Sequence, residues 1–258
     1  ARQLDKAIET RKRIIQGYPK SSFVPQTLFA LAEGYDAVAD FENAAAGYEA
    51  YAAQYEKSLN GGGKKAAKAP AKAGKKGAKA AAPADDDKKD GQVWEESKAQ
   101  IALFNAGVFR DGLGQYKAAL RNREHYLELW GESKDAEAVF LSIVDLHERN
   151  GAYGKAQKQL EEYEKKYGKD PNKLLTAEGR IAGIYEDKIK NKGAAKKIFD
   201  RILDYHEKLP KKTKGSLEIT ALDAVARAHF LHNEDDWKKY EKMRLKWSKL
   251  ANVGEFKN

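Results

Sequence analysis

An alanine followed four and seven positions later by bulky apolar residues recurs along this chain: Ala44, Tyr48 and Tyr51; Ala156, Leu160 and Tyr163; Ala195, Phe199 and Ile202. With Ala7 and Ala119 in the same slot, the successive gaps are 37, 75, 37 and 39 residues. Spacings of four and seven put each set on one face of a helix. Upstream of each lies a second apolar-periodic segment, joined to it by a short turn such as Gly114-Gln115-Tyr116 or Gly151-Ala152-Tyr153. Small residues at fixed helical positions let antiparallel helices approach closely. Units of this kind cannot bury their apolar faces alone and stack on their neighbours. The gap of 75 is one repeat plus an insertion, and the run Asn60 to Gln92 occupies it.

The motifs Ala30-Leu31-Ala32-Glu33-Gly34-Tyr35 and Phe41-Glu42-Asn43-Ala44-Ala45-Ala46-Gly47-Tyr48 carry a resemblance. The chain resembles the tetratricopeptide repeat family, whose period is about 34 residues. In that pattern the first helix offers large, large, small and aromatic slots. Here these are Leu28, Leu31, Ala32 and Tyr35; Leu103, Ala106, Gly107 and Arg110; Phe140, Ile143, Val144 and His147. Arg110, Arg123 and His147 depart from the pattern. The resemblance implies an all-α, right-handed α-solenoid of helix pairs. It implies an organisation into N-terminal repeats over 1–59, an insertion over 60–92, and C-terminal repeats with a capping helix over 93–258.

The insertion has its own composition. From Gly61 to Ala84 there are seven lysines and no acid, and no large apolar side chain. Such a segment cannot offset its ordering entropy by burial, so the sequence predicts disorder. Over Asn60 to Gln92 the net charge is +5, which leaves +4 of the chain's +9 for everything else. The basic character belongs to the insertion more than to a folded face. Cysteine is absent, so disulfides and thiolate chemistry are excluded. No apolar run approaches the ~18 residues of a membrane span. The chain begins at Ala1, which is compatible with a processed N-terminus.

Apolar periodicity predicts helices over Leu4–Gly17, Val24–Val38, Phe41–Ser58, Val93–Phe109, Tyr116–Trp130, Lys134–Asn150, Tyr153–Tyr167, Leu174–Lys190 and Ala194–Lys208. Ser21-Ser22 reads as an N-cap, and Gly131 and Gly168 read as left-handed helix ends. Trp237, Tyr240, Met243 and Trp247 form one stripe of a terminal helix.

No catalytic centre, cofactor or metal site is implied. Ser, His and Asp occur without a Gly-x-Ser-x-Gly elbow. Gly61-Gly62-Gly63-Lys64-Lys65 lacks the Ser/Thr, strand and helix of a phosphate-binding loop. His229 and His232, followed by Asp235 and Asp236, lack a converging third ligand and read as a surface pair. The tyrosines Tyr48, Tyr51, Tyr55, Tyr126, Tyr163 and Tyr167 read as core.

The resemblance implies that the concave wall is lined by first-helix residues lying between the packing slots. These are Phe29, Glu33 and Asp36; Phe104, Val108 and Asp111; Leu141, Asp145 and Glu148; Arg180, Ile184 and Asp187. Six of the twelve are acidic and only Arg180 is basic, so the expected groove is acidic with apolar patches. The function implied is a non-enzymatic scaffold that holds a basic or amphipathic partner segment. The junction Tyr18-Pro19-Lys20-Ser21-Ser22-Phe23 is similar to those of bacterial envelope tetratricopeptide proteins, including outer-membrane assembly and Tol-Pal components, and the Ala/Lys/Pro-rich insertion is similar to those of high-GC bacteria, whose periplasmic repeat proteins serve gliding-motility machinery. That similarity implies the periplasm, with the cytoplasm as the alternative. The rival function is polyanion binding by Lys64, Lys65, Lys68, Lys72, Lys75, Lys76 and Lys79 through charge alone. That run contains no aromatic residue to stack on bases and no arginine.

Overall fold

Every regular element of the computed structural model, which describes residues 2–60, 91–234 and 237–239, is a helix. In order they are α1 (Arg2–Gly17), α2 (Val24–Ala37), α3 (Phe41–Asn60), α4 (Glu96–Gly112), α5 (Tyr116–Trp130), α6 (Ala136–Arg149), α7 (Tyr153–Tyr167) and α8 (Pro171–Gly183). A π-helical turn (Ile184–Lys188) continues α8, and α9 (Lys192–Lys208), α10 (Lys211–Lys214) and α11 (Ile219–His232) follow. Helices pack on their neighbours in the chain, the arrangement of an α-solenoid. The chain divides into two compact units, Ala1–Leu146 and His147–Asn258, with the boundary inside α6. The organisation expected from sequence broke the chain at 59 and 93. Both of those positions lie inside the first unit.

Four of the described residues take left-handed backbone: Ala39 (φ 58°), Gly114 (70°), Gly151 (67°) and Lys190 (61°). Each stands five positions before the alanine that opens the repeat pattern, Ala44, Ala119, Ala156 and Ala195. The turns share one bonding scheme. The residue after the left-handed one donates to a carbonyl five positions back: Asp40 N to Tyr35 O, Gln115 N to Arg110 O, and Ala152 N to His147 O. This 6→1 bond satisfies a carbonyl that the helix end would leave open. At the fourth turn Asn191 N reaches six back, to Tyr185 O, and the π-helical turn absorbs the extra residue. The glycines expected to be left-handed are not: Gly131 has φ −62° and Gly168 φ −70°. They follow second helices, where no tight left-handed turn is made. Ser21-Ser22 is also not the cap of α2. Phe23 holds that position without a side-chain bond, and Pro25 stands in the first turn of the helix.

In the first unit the core is aromatic. Phe29 meets Tyr48 edge-on at 5.5 Å and Tyr51 at 5.4 Å, and Tyr126 meets Trp130 at 5.3 Å. Edge-to-face pairs of this kind contribute roughly 0.5–1.5 kcal/mol each beyond their buried area. The chain re-enters after the insertion by docking Trp94 on Tyr51, 5.1 Å between rings, while Glu95 N donates to the Tyr51 hydroxyl at 3.2 Å. Gln92 Nε2 bonds Pro19 O at 2.7 Å. These contacts bring the two flanks of the insertion into one body. Close approach of α2 and α3 depends on Gly47, where an added Cβ would stand 3.0 Å from the Ala32 Cβ.

In the second unit α8 packs on α7, α9 and α11, and α9 on α11. Leu160, Tyr163, Leu175, Ile181, Ile198, Phe199, Ile202, Ala221, Ala224, Val225 and Ala228 are buried there. The tyrosines read as core are buried, apart from Tyr167, which is half-buried against Tyr163.

Two of the slots that depart from the repeat pattern are filled by arginines in ion pairs. Arg110 Nε and Nη2 bind the two carboxylate oxygens of Glu49 at 2.9 and 2.7 Å, and Asn122 Nδ2 adds a bond at 2.9 Å. Burial pushes the Glu49 carboxyl up, but the Arg110 and Asn122 bonds more than offset it and hold it below the usual range. Arg123 Nη2 bonds Asp111 at 2.8 Å. His147 is buried, and burial together with Lys155 pushes its imidazole below the usual value. The lysines of the insertion, Asp235, Asp236, Tyr240, Met243 and Trp247 lie outside the described residues.

Candidate functional site: a groove on the first helices of the second unit

The start of α8 is fixed by Asp170, whose carboxylate accepts from Asn172 N at 2.9 Å, with Pro171 in the first helical position. Asn172 Oδ1 in turn accepts from Glu218 N at 2.8 Å, which ties the start of α11 to the start of α8. Thr176 and Thr220 hydroxyls meet at 3.1 Å. One turn further, Gly179 faces Ala224 so closely that an added Cβ would stand 2.6 Å from the Ala224 Cβ. Only glycine permits this crossing.

Beyond the crossing the helices leave a groove of about 540 Å³. Gly179, Gly183, Ile184 and Ala224 supply small and apolar surface, and Glu148, Arg180, Asp187, Lys188, Asp223 and Arg227 supply charge. Arg180 Nη2 holds Glu148 Oε1 at 2.7 Å. Arg227 Nη2 holds Glu186 Oε2 at 2.7 Å and Asp187 Oδ2 at 2.8 Å. The Arg227 bond keeps the Asp187 carboxyl below its ordinary range. Consecutive residues of an α-helix point about 100° apart. The π-helical turn brings Glu186 and Asp187 onto one guanidinium.

Of the wall residues expected from sequence, Glu148, Arg180, Ile184 and Asp187 come together here. Glu33 and Asp36 are exposed on α2, and Phe104 and Val108 on α4. Asp111, Leu141 and Asp145 are half-buried. Phe29 is not a wall residue: it is buried under Tyr48 and Tyr51, because two rings of α3 offer a phenyl group more apolar contact than the solvent side does. The acidic character expected of the wall is also corrected in this unit. Three carboxylates line the groove, and Arg180, Lys188 and Arg227 match them in number. Arg227, Asp223 and Thr176 escaped the sequence reading. The segment around Pro210 and α10 breaks the 37-residue spacing that would have placed α11 in register.

His229 and His232 are exposed, and His232 Nδ1 lies 3.4 Å from Asp200 Oδ1. Among the described residues no group of three or more His, Asp or Glu is placed to hold a metal ion. No described helix is long and apolar enough to cross a membrane.

An all-α chain of stacked helix pairs with a mixed-charge groove is thus the class that the fold and site define. No protein-family model matches the chain, and no curated protein matches it. It is similar to the crystal structure of BtubC (BKLC) from P. vanneervenii at 12% identity and a TM-score of 0.37, over 96% of this chain and 94% of that one. A likeness this slight carries no argument about function.

Proposed function

We propose that this chain is a non-enzymatic, tetratricopeptide-type scaffold that holds a segment of a partner protein against its first helices. The observation that carries the reading is the groove of the second unit. Four wall positions inferred from the repeat register line it, and its apolar surface is edged by charges of both signs. Surfaces of this kind bind by many modest contacts along a helix or extended peptide. Balanced charge there favours an amphipathic partner segment that carries both signs over a purely basic one. The Tyr18-Pro19 junction supports a bacterial envelope setting such as the periplasm, and the composition of the insertion supports a motility assembly there.

Bait chains on beads, with bound proteins identified by mass spectrometry, test the reading. Thr176→Trp places an indole in the groove and is expected to abolish capture. Deletion of residues 61–90 is expected to leave capture intact. The reverse pattern, capture lost on deletion and kept by the filled groove, replaces the scaffold with the polyanion-binding reading.

A further inference from the structure

Helix α11 has two apolar faces, and only one has a described partner. Ala221, Ala224, Val225 and Ala228 are buried on the side that packs against α8 and α9. On the opposite side Leu222, Ala226 and Phe230 form one stripe at spacings of four. Phe230 is 67% exposed, and Leu222 is exposed as well. Stripes of large exposed apolar residues mark places where something else binds. Each earlier first helix is followed directly by a second helix that packs on it or on its neighbour. After α11 the described chain gives Glu234 and Trp237–Lys239 in helical conformation.

We propose that the chain's own C-terminal segment, residues 240–258, seats on this face of α11. Chain continuity argues for that occupant: residue 240 follows Phe230 by ten positions, so the segment is present at high effective concentration. Its composition fits. Tyr240, Met243, Trp247 and Leu250 recur at spacings of three and four, the apolar complement of such a stripe. Its charge fits as well. Residues 240–258 carry five Lys and Arg against two Glu, and exposed Glu218 and Asp223 border the stripe. Seating the segment closes the end of the helix array with a polar outer surface, which terminal units of solenoids require for solubility.

Dye binding and sedimentation test the proposal on four variants: the full chain, a chain ending at Lys239, full-length Trp247→Glu, and the Lys239 chain with Leu222→Asp and Phe230→Asp. The hydrophobic dye ANS should bind weakly to a monomeric full chain. Its fluorescence should rise about five-fold on truncation, and also in Trp247→Glu, which keeps the whole chain. The two aspartates should remove that rise, which locates the uncovered surface on α11. Equal dye binding by the full and truncated chains overturns the proposal, as does a rise that survives the two aspartates. A full chain that sediments as a dimer, and becomes a monomer when Leu222→Asp and Phe230→Asp are introduced into it, overturns it in favour of a second copy as the occupant.

Discussion

Arg110 grips Glu49 with two parallel bonds, Nε to Oε1 at 2.9 Å and Nη2 to Oε2 at 2.7 Å, from α4 to α3. The arginine stands in a slot that the repeat pattern gives to an aromatic residue. Bidentate pairs of this geometry are the strong ones, and removing one partner strands the other charge. Arg110→Met is predicted to destabilise the first unit by about 2–4 kcal/mol, and Arg110→Met with Glu49→Leu by less than the single change. Denaturant melts of both variants measure this. The folded-state pKa of Glu49 is depressed. Its contribution is therefore present above the unfolded value and lost as pH falls through the folded one, so the double variant should lose less stability on acidification.

Two left-handed positions are filled by residues with a Cβ, Ala39 and Lys190, and two by glycine, Gly114 and Gly151. A Cβ there costs roughly 1–2 kcal/mol, partly balanced by the greater freedom of glycine in the unfolded chain. Ala39→Gly is predicted to stabilise by about 0.5–1 kcal/mol and Gly114→Ala to destabilise by about 1 kcal/mol. Thermal melts showing both changes with the same sign would contradict the shared turn geometry.

Glu164 Oε1 is buried without a hydrogen-bond partner. Arg201 holds the neighbouring Glu178 instead, at 3.1 Å. Burial first, then the Glu178 charge, pushes the Glu164 carboxyl up to about 7. The folded value lies above the unfolded one. The stabilisation is therefore complete below pH ~4.5, the ordinary carboxyl value, and disappears as pH rises through about 7. Glu164→Gln is predicted to match or trail the parent at pH 5 and to exceed it by about 1–3 kcal/mol at pH 8. Denaturant melts at the two pH values read the difference directly.

Much of the fold was legible because one small residue per second helix, with bulky residues four and seven later, has few other uses. Ala44, Ala156 and Ala195 and their partners are all buried as that spacing requires. The π-helical turn left a trace, a gap of 39 where 37 was the rule. Nothing in the residues distinguished a π-helical turn from a longer loop. At Phe29 the slots between packing positions were assigned to the wall. The two tyrosine rings of α3 claimed the side chain, a tertiary preference no single helix reveals. The charge of the groove was misjudged for a related reason. Arg227 reaches across from α11 to Glu186 and Asp187, and Lys188 stands one residue past the wall slots, so a census of those slots counted neither.

The central claim is that a partner segment lies in the groove between α8 and α11. Amide exchange of the full chain, alone and with the captured partner at saturation, tests it most directly. The account predicts new protection in α8, in the turn Ile184–Lys188 and in α11, with residues 61–90 unchanged. Protection confined to residues 61–90, with none gained between 171 and 232, would contradict it.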